Sequence, residues 1–130
     1  MTYTLQFDVS GVSTDLTVIH DGESFLVQWK AQNLGPDDTA DFVDHLVVAE
    51  VPEGCPGSDD GDHPVVWDSD TDGDPDDFAE APIPNGGFGP VMEQGIGPLT
   101  VGSYRLTVTL DQGGPGEVTI FTCIDVVEAN

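Results

Sequence analysis

Ten consecutive residues, Asp68-Ser-Asp-Thr-Asp-Gly-Asp-Pro-Asp-Asp77, hold the densest set of metal-ligating groups in the chain. Asp68, Asp70 and Asp72 with Gly73 reproduce the first half of the calcium loop D-x-D-x-D-G, where alternate carboxylates converge around a sharp glycine turn. Calcium takes about six to eight oxygens, and the Asp74 carbonyl and the Asp76 carboxylate would extend the set. Ala79 stands where the complete motif has its bidentate Glu, Glu80 comes one place late, and Pro75 interrupts the loop. No helical pattern flanks it. The spacing predicts a calcium site at Asp68, Asp70, Asp72, Asp74 and Asp76, weak because a flexible loop must be ordered while its carboxylates crowd one another. The alternative is a solvated acidic linker.

Cys55 and Cys123 are the second candidate group, one in a turn and one in the closing segment. A disulfide between them would close a long loop and stabilise by roughly 4 kcal/mol on chain-entropy grounds. It would also imply an oxidising compartment. Two unrelated thiols are the other reading. The chain has no C-x-x-C, and His20, His45 and His63 are too scattered to complete a zinc set. No G-x-S-x-G is present, and neither Cys has the surroundings of a nucleophile. His45 reads as a partly buried strand residue. His63, beside Asp60 and Asp62, reads as a surface residue that could join a cation site. Among the aromatic residues, Trp29 alternates cleanly as core, whereas Trp67 and Phe88 flank the acidic region and are the candidates for ligand contact.

Charge narrows the partners. Two basic residues, Lys30 and Arg105, face 25 acidic ones, for a formal net charge of −23. Phosphate contacts need Lys and Arg, so nucleic acid is excluded, and an anionic membrane surface with it. No apolar run approaches the ~20 residues that span a bilayer, so membrane insertion is not expected. The opening MTYTLQFDVS lacks the basic flank and apolar core of a signal peptide. A surface this acidic repels itself at low ionic strength and is relieved once the Debye length falls below ~10 Å. Scarce Lys and abundant Asp point to adaptation to high salt or to cation binding.

The elements that must position these groups are strands. Sixteen Gly and ten Pro divide the chain into short segments, none with a sustained helical stripe. Tyr3, Leu5, Phe7 and Val9 alternate with polar residues, and so do Phe25, Val27, Trp29 and Ala31, a strand that Asn33-Leu-Gly-Pro36 should end. Leu16–Ile19, Phe42–Val51, Val65–Trp67 and Phe88–Met92 are further candidates. Tyr104, Leu106, Val108 and Leu110 make the clearest strand, Asp111–Gly116 a turn, and Val118–Val127 the return. About seven short strands with turns every 8–12 residues predict an all-β, immunoglobulin-like sandwich. The chain reads as one domain, 1–130, with an acidic, Gly/Pro-rich insertion at 52–97 and a solvated loop from Asp68 to Glu80.

Three pieces resemble the CARDB family, the cell-adhesion-related domain found in bacteria. Asp21-Gly-Glu-Ser-Phe-Leu-Val-Gln-Trp-Lys-Ala-Gln-Asn-Leu-Gly35 is similar to that family's opening strand. Leu99-Thr-Val-Gly-Ser-Tyr-Arg-Leu-Thr-Val-Thr-Leu-Asp111 is similar to its L-x-x-G-x-Y strand ending in Asp, and the last strand closes in Val127-Glu-Ala-Asn130. Tyr104 also fits a tyrosine corner, its hydroxyl bonding backbone upstream. The resemblance covers roughly residues 17–51 and 98–130 and leaves 52–97 unexplained. It implies a non-catalytic module of a secreted or surface protein, with no catalytic residues to carry over. The expected role is an acidic, calcium-stabilised binding or adhesion module that recognises protein or carbohydrate at a cell surface, with 52–97 as its recognition surface. Two alternatives stand beside it. Copies of the chain could pair strand edges into a filament or coat. A small β-barrel enzyme, such as a cyclase, would need an enclosed apolar cavity of ~300 Å³ or more.

Overall fold

The computed structural model describes residues 2–55, 63–73 and 78–129. The sequence forms β1 (Tyr3–Phe7), β2 (Ser13–Thr14), β3 (Ile19–His20), β4 (Phe25–Trp29), β5 (Ala31–Pro36) and β6 (Phe42–Val43). It continues with β7 (His45–Glu50), β8 (Val65–Asp68), β9 (Ala79–Glu80), β10 (Met92–Ile96), β11 (Gly102–Leu110) and β12 (Val118–Val127). One sheet runs in the order β3-β12-β11-β7-β8, and a second in the order β10-β4-β2, while β1 pairs β5 and β6 pairs β9. The all-β sandwich expected from the alternation is present.

Its core follows from that alternation. Tyr104, Leu106, Val108 and Leu110 of β11 are buried, and they share one apolar cluster with Leu46 and Val48 of β7. The same cluster takes Phe25, Val27 and Trp29 from β4, Leu5 from β1 and Ile96 from β10. Period-two burial on each layer is what closes the sandwich. The turn after β11 is closed by Asp111, which adopts a left-handed φ of 53°. Its Oδ2 accepts hydrogen bonds from the Tyr3 hydroxyl and the Gly116 amide, both at 2.9 Å. Gly116 is required there, since a Cβ would lie 2.7 Å from the Tyr3 ring.

Several boundaries differ from the sequence expectations. The run from Phe25 does not end at Asn33. It breaks at Lys30, and β5 carries on to Pro36 in a different pairing. Asn33 holds that extension as a buried residue, donating to the Asp37 and Ile83 carbonyls and accepting from the Gly35 amide. Phe42–Val51 is likewise two strands, divided at Asp44, whose amide bonds the Phe78 carbonyl. Leu16–Ile19 contributes only its last residue to a strand, and pairing near Met92 runs forward to Ile96 rather than back to Phe88. Phe88 makes a single bridge to Gln32. Loop 68–80 is not solvated throughout, because Ser69, Phe78 and Glu80 are buried. Hydrophobic periodicity registers neither strands that change pairing partners at Lys30 and Asp44 nor polar side chains that bond backbone, as at Asn33 and Ser69.

Candidate functional site

The acidic loop leaves the sheet at the end of β8. β7 and β8 pair antiparallel, with Val47 opposite Asp68, and this places His45 beside the loop. The Asp68 carbonyl accepts the amides of Thr71 at 3.1 Å and Asp72 at 2.7 Å, closing a tight turn. Asp72 Oδ2 returns a bond to the Asp68 amide at 2.9 Å. Ser69 clamps the turn to β7: its amide donates to the Leu46 carbonyl and its hydroxyl accepts from the Leu46 amide. Gly73 passes under Trp67 so closely that a Cβ would sit 2.9 Å from the indole.

This turn brings three potential ligand atoms together. His45 Nε2 lies 2.7 Å from Asp68 Oδ1 and 3.5 Å from Asp70 Oδ2. One ligand atom from each of the three residues falls within 4.8 Å of the others. Asp68 Oδ1 also accepts the Asp70 amide at 2.9 Å. Partial burial pushes the Asp68 carboxyl up, but hydrogen bonds from His45 and the Asp70 amide, with the His45 charge, outweigh it and hold the group below its usual range. The His45 side chain is mostly buried, whereas Asp70 is exposed and opens the trio to solvent. An imidazole with two carboxylates is a competent donor set for a divalent ion, with water completing the shell.

Of the aspartates expected as ligands, Asp68 and Asp70 converge, Asp72 is turned to the Asp68 backbone, and Asp74 and Asp76 lie outside the described residues. His45 was legible only as a strand residue. Its pairing with a loop 23 positions away is a consequence of sheet register. Trp67 packs partly buried on β8, and Phe88 bridges β5 with the Lys30 ammonium 4.8 Å from its ring centre.

Three further groups lie outside the trio. Cys55 and Cys123 form a disulfide with Cα atoms 5.8 Å apart, as the even pair suggested. His63 is not the surface residue expected: its side chain is 5 % exposed, with Glu53 Oε1 3.2 Å from Nε2 and Arg105 3.4 Å from Nδ1. Deeper, Asp44 and Glu80 are buried side by side beneath Trp29, whose Nε1 donates to Asp44 Oδ2 at 3.0 Å. Burial raises the Glu80 carboxyl to about 10, helped by the Asp44 carboxyl beside it. Burial raises Asp44 too, and the Trp29 Nε1–H that it accepts only partly opposes the rise.

No family model matches the sequence, and no curated protein matches it. A search of solved structures finds the CARDB domain of a Pyrococcus furiosus protein, solved in complex with di-metal ions. The match has a TM-score of 0.58 and covers 98 % of this chain and 94 % of that one. The fold is CARDB-like. At 11 % identity the likeness is one of architecture. Tyr104 supplies the expected corner of the CARDB-like sandwich: its hydroxyl donates to the Thr100 carbonyl at 2.8 Å. Among the described residues, no helix is long and apolar enough to cross a membrane.

Proposed function

We propose that this CARDB-like domain is a non-catalytic binding module of a secreted or cell-surface protein, with its acidic loop fastened to the sheet by a divalent cation. The observation that carries this reading is the convergence of His45 on β7 with Asp68 and Asp70 on the loop. A bound ion would tie the loop to the sheet that presents it, making the acidic region a preorganised recognition surface for protein or carbohydrate. The disulfide supports an oxidising compartment. Among the described residues, the grooves beside Trp29 and beside β12 open to solvent, which suits surface recognition better than chemistry in a closed pocket.

The imidazole favours a borderline ion such as zinc, whereas the aspartate spacing favours calcium, which prefers oxygen. Isothermal titration of chelator-treated protein with zinc chloride and with calcium chloride separates them. Binding heat that Asp68→Asn together with Asp70→Asn abolishes is the expected result. No heat with either ion at millimolar concentration overturns the cation reading.

A further inference from the structure

β12 is paired along its whole length on one side only. Its inner edge meets β11 from Val118 opposite Leu110 to Val126 opposite Gly102. Its outer edge meets β3 only at Val126 and Val127. Between Val118 and Asp125, no strand of the described residues lies on that side. The Val127 carbonyl accepts the Asp21 amide on the outer side at 2.9 Å. By the two-residue period, the peptide groups of Thr119, Phe121, Cys123 and Asp125 face outward as well, a row about 20 Å long.

Native sheets blunt such edges with Lys, Pro or bulges. Val118-Thr-Ile-Phe-Thr-Cys-Ile-Asp-Val-Val127 contains no Lys, Pro or Gly, and it pairs with β11 without a bulge. Ile120 and Ile124, on its inward face, are only half-buried. Beside Ile124 runs an open groove of about 640 Å³, with Val12, Leu16 and Ile19 also among its lining residues. Asp125 lines the same groove, and Asp21 and Glu23 line the hollow next to β3.

We infer that the outer edge of β12 is a strand-addition site that takes an extended, lysine- or arginine-bearing segment of a partner protein. The segment would extend the sheet in line with β3. Main-chain hydrogen bonds to Thr119, Phe121, Cys123 and Asp125 would supply affinity, while alternate apolar side chains would enter the groove. The charge of the occupant follows from the charge of the host. A second copy would bring −23 against −23, whereas a cationic segment is drawn to the acidic surface. The cation trio sits at the β7–β8 side of the same sheet, so the two sites stand or fall separately.

The test uses the intact, disulfide-bonded chain labelled with nitrogen-15. The probes are two capped decapeptides, one alternating valine and lysine and the other valine and glutamate. The lysine peptide is expected to slow exchange of the Thr119, Phe121, Cys123 and Asp125 amides, and to bind about tenfold or more tighter than the glutamate peptide. Phe121→Pro, which removes one outward amide, should abolish binding while the thermal transition persists. The exchange pattern of the unmodified chain decides the matter if that variant fails to fold. The inference is overturned if the four amides are already slow in the isolated monomer, or if both peptides bind alike. Protection arising from self-association in sedimentation would also overturn it, assigning the edge to a second copy.

Discussion

Glu80 lies buried beside Asp44, whose Oδ2 accepts the Trp29 Nε1–H at 3.0 Å, two of the chain's 25 acids sealed together away from solvent. Among the described residues, neither Glu80 oxygen nor Asp44 Oδ1 has a hydrogen-bond partner. The sign of the pH dependence follows. Glu80 titrates at 4.5 in its ordinary state and at about 10 in the fold, so the folded chain holds the extra proton between those values. Stability contributed by the protonated pair is full below pH 4.5 and declines as pH rises toward 10. Glu80→Gln keeps the shape without the titration. It should stabilise by about 1–3 kcal/mol at pH 8 and by almost nothing at pH 4. Urea unfolding at pH 4, 6 and 8 checks this, and parallel curves for the two proteins would contradict it.

The disulfide joins residues 68 positions apart. Replacing both cysteines by serine releases that loop in the unfolded chain and should cost about 4 kcal/mol. Thermal melting of the double variant, and of the parent with and without reductant, reads the loss.

The Tyr104 hydroxyl donates to the Thr100 carbonyl at 2.8 Å across the turn that opens β11. Tyr104→Phe leaves that carbonyl without this donor while keeping the ring in the core. A loss of about 1 kcal/mol is expected in chemical denaturation, with the spectrum of the folded state unchanged.

Net charge sets a further expectation. Self-repulsion at −23 is screened as salt rises, so the melting temperature should increase from roughly 0.05 to 1 M potassium chloride. A melting temperature that does not move with salt would show that the charge imposes no cost on the fold.

How far the sequence revealed this architecture depends on which force sets each element. Tyr104, Leu106, Val108 and Leu110 announced β11 because burial there follows a strict two-residue period. The same holds for β12, whose limits, Val118 and Val127, match the alternation. The breaks at Lys30 and Asp44 were hidden, because they arise from strands changing partners while the apolar pattern continues. Glu80 and Phe78 read as solvated, since nothing local distinguishes a buried acid from its six acidic neighbours between Asp68 and Asp77 until a second acid is folded against it.

The candidate site divides along the same line. Asp68 and Asp70 were legible from their spacing, a local property of one turn. His45 was not assignable as their partner, because its place depends on the register of β7 against β8. Cys55 and Cys123 were legible as a pair by count alone, although only the fold sets their distance.

Diffraction from crystals grown with zinc chloride, recorded at the zinc absorption edge, tests the central claim most directly. The account predicts an anomalous peak about 2.0–2.2 Å from His45 Nε2 and from one carboxylate oxygen each of Asp68 and Asp70. No anomalous density at that trio, with the residues well ordered, would contradict it.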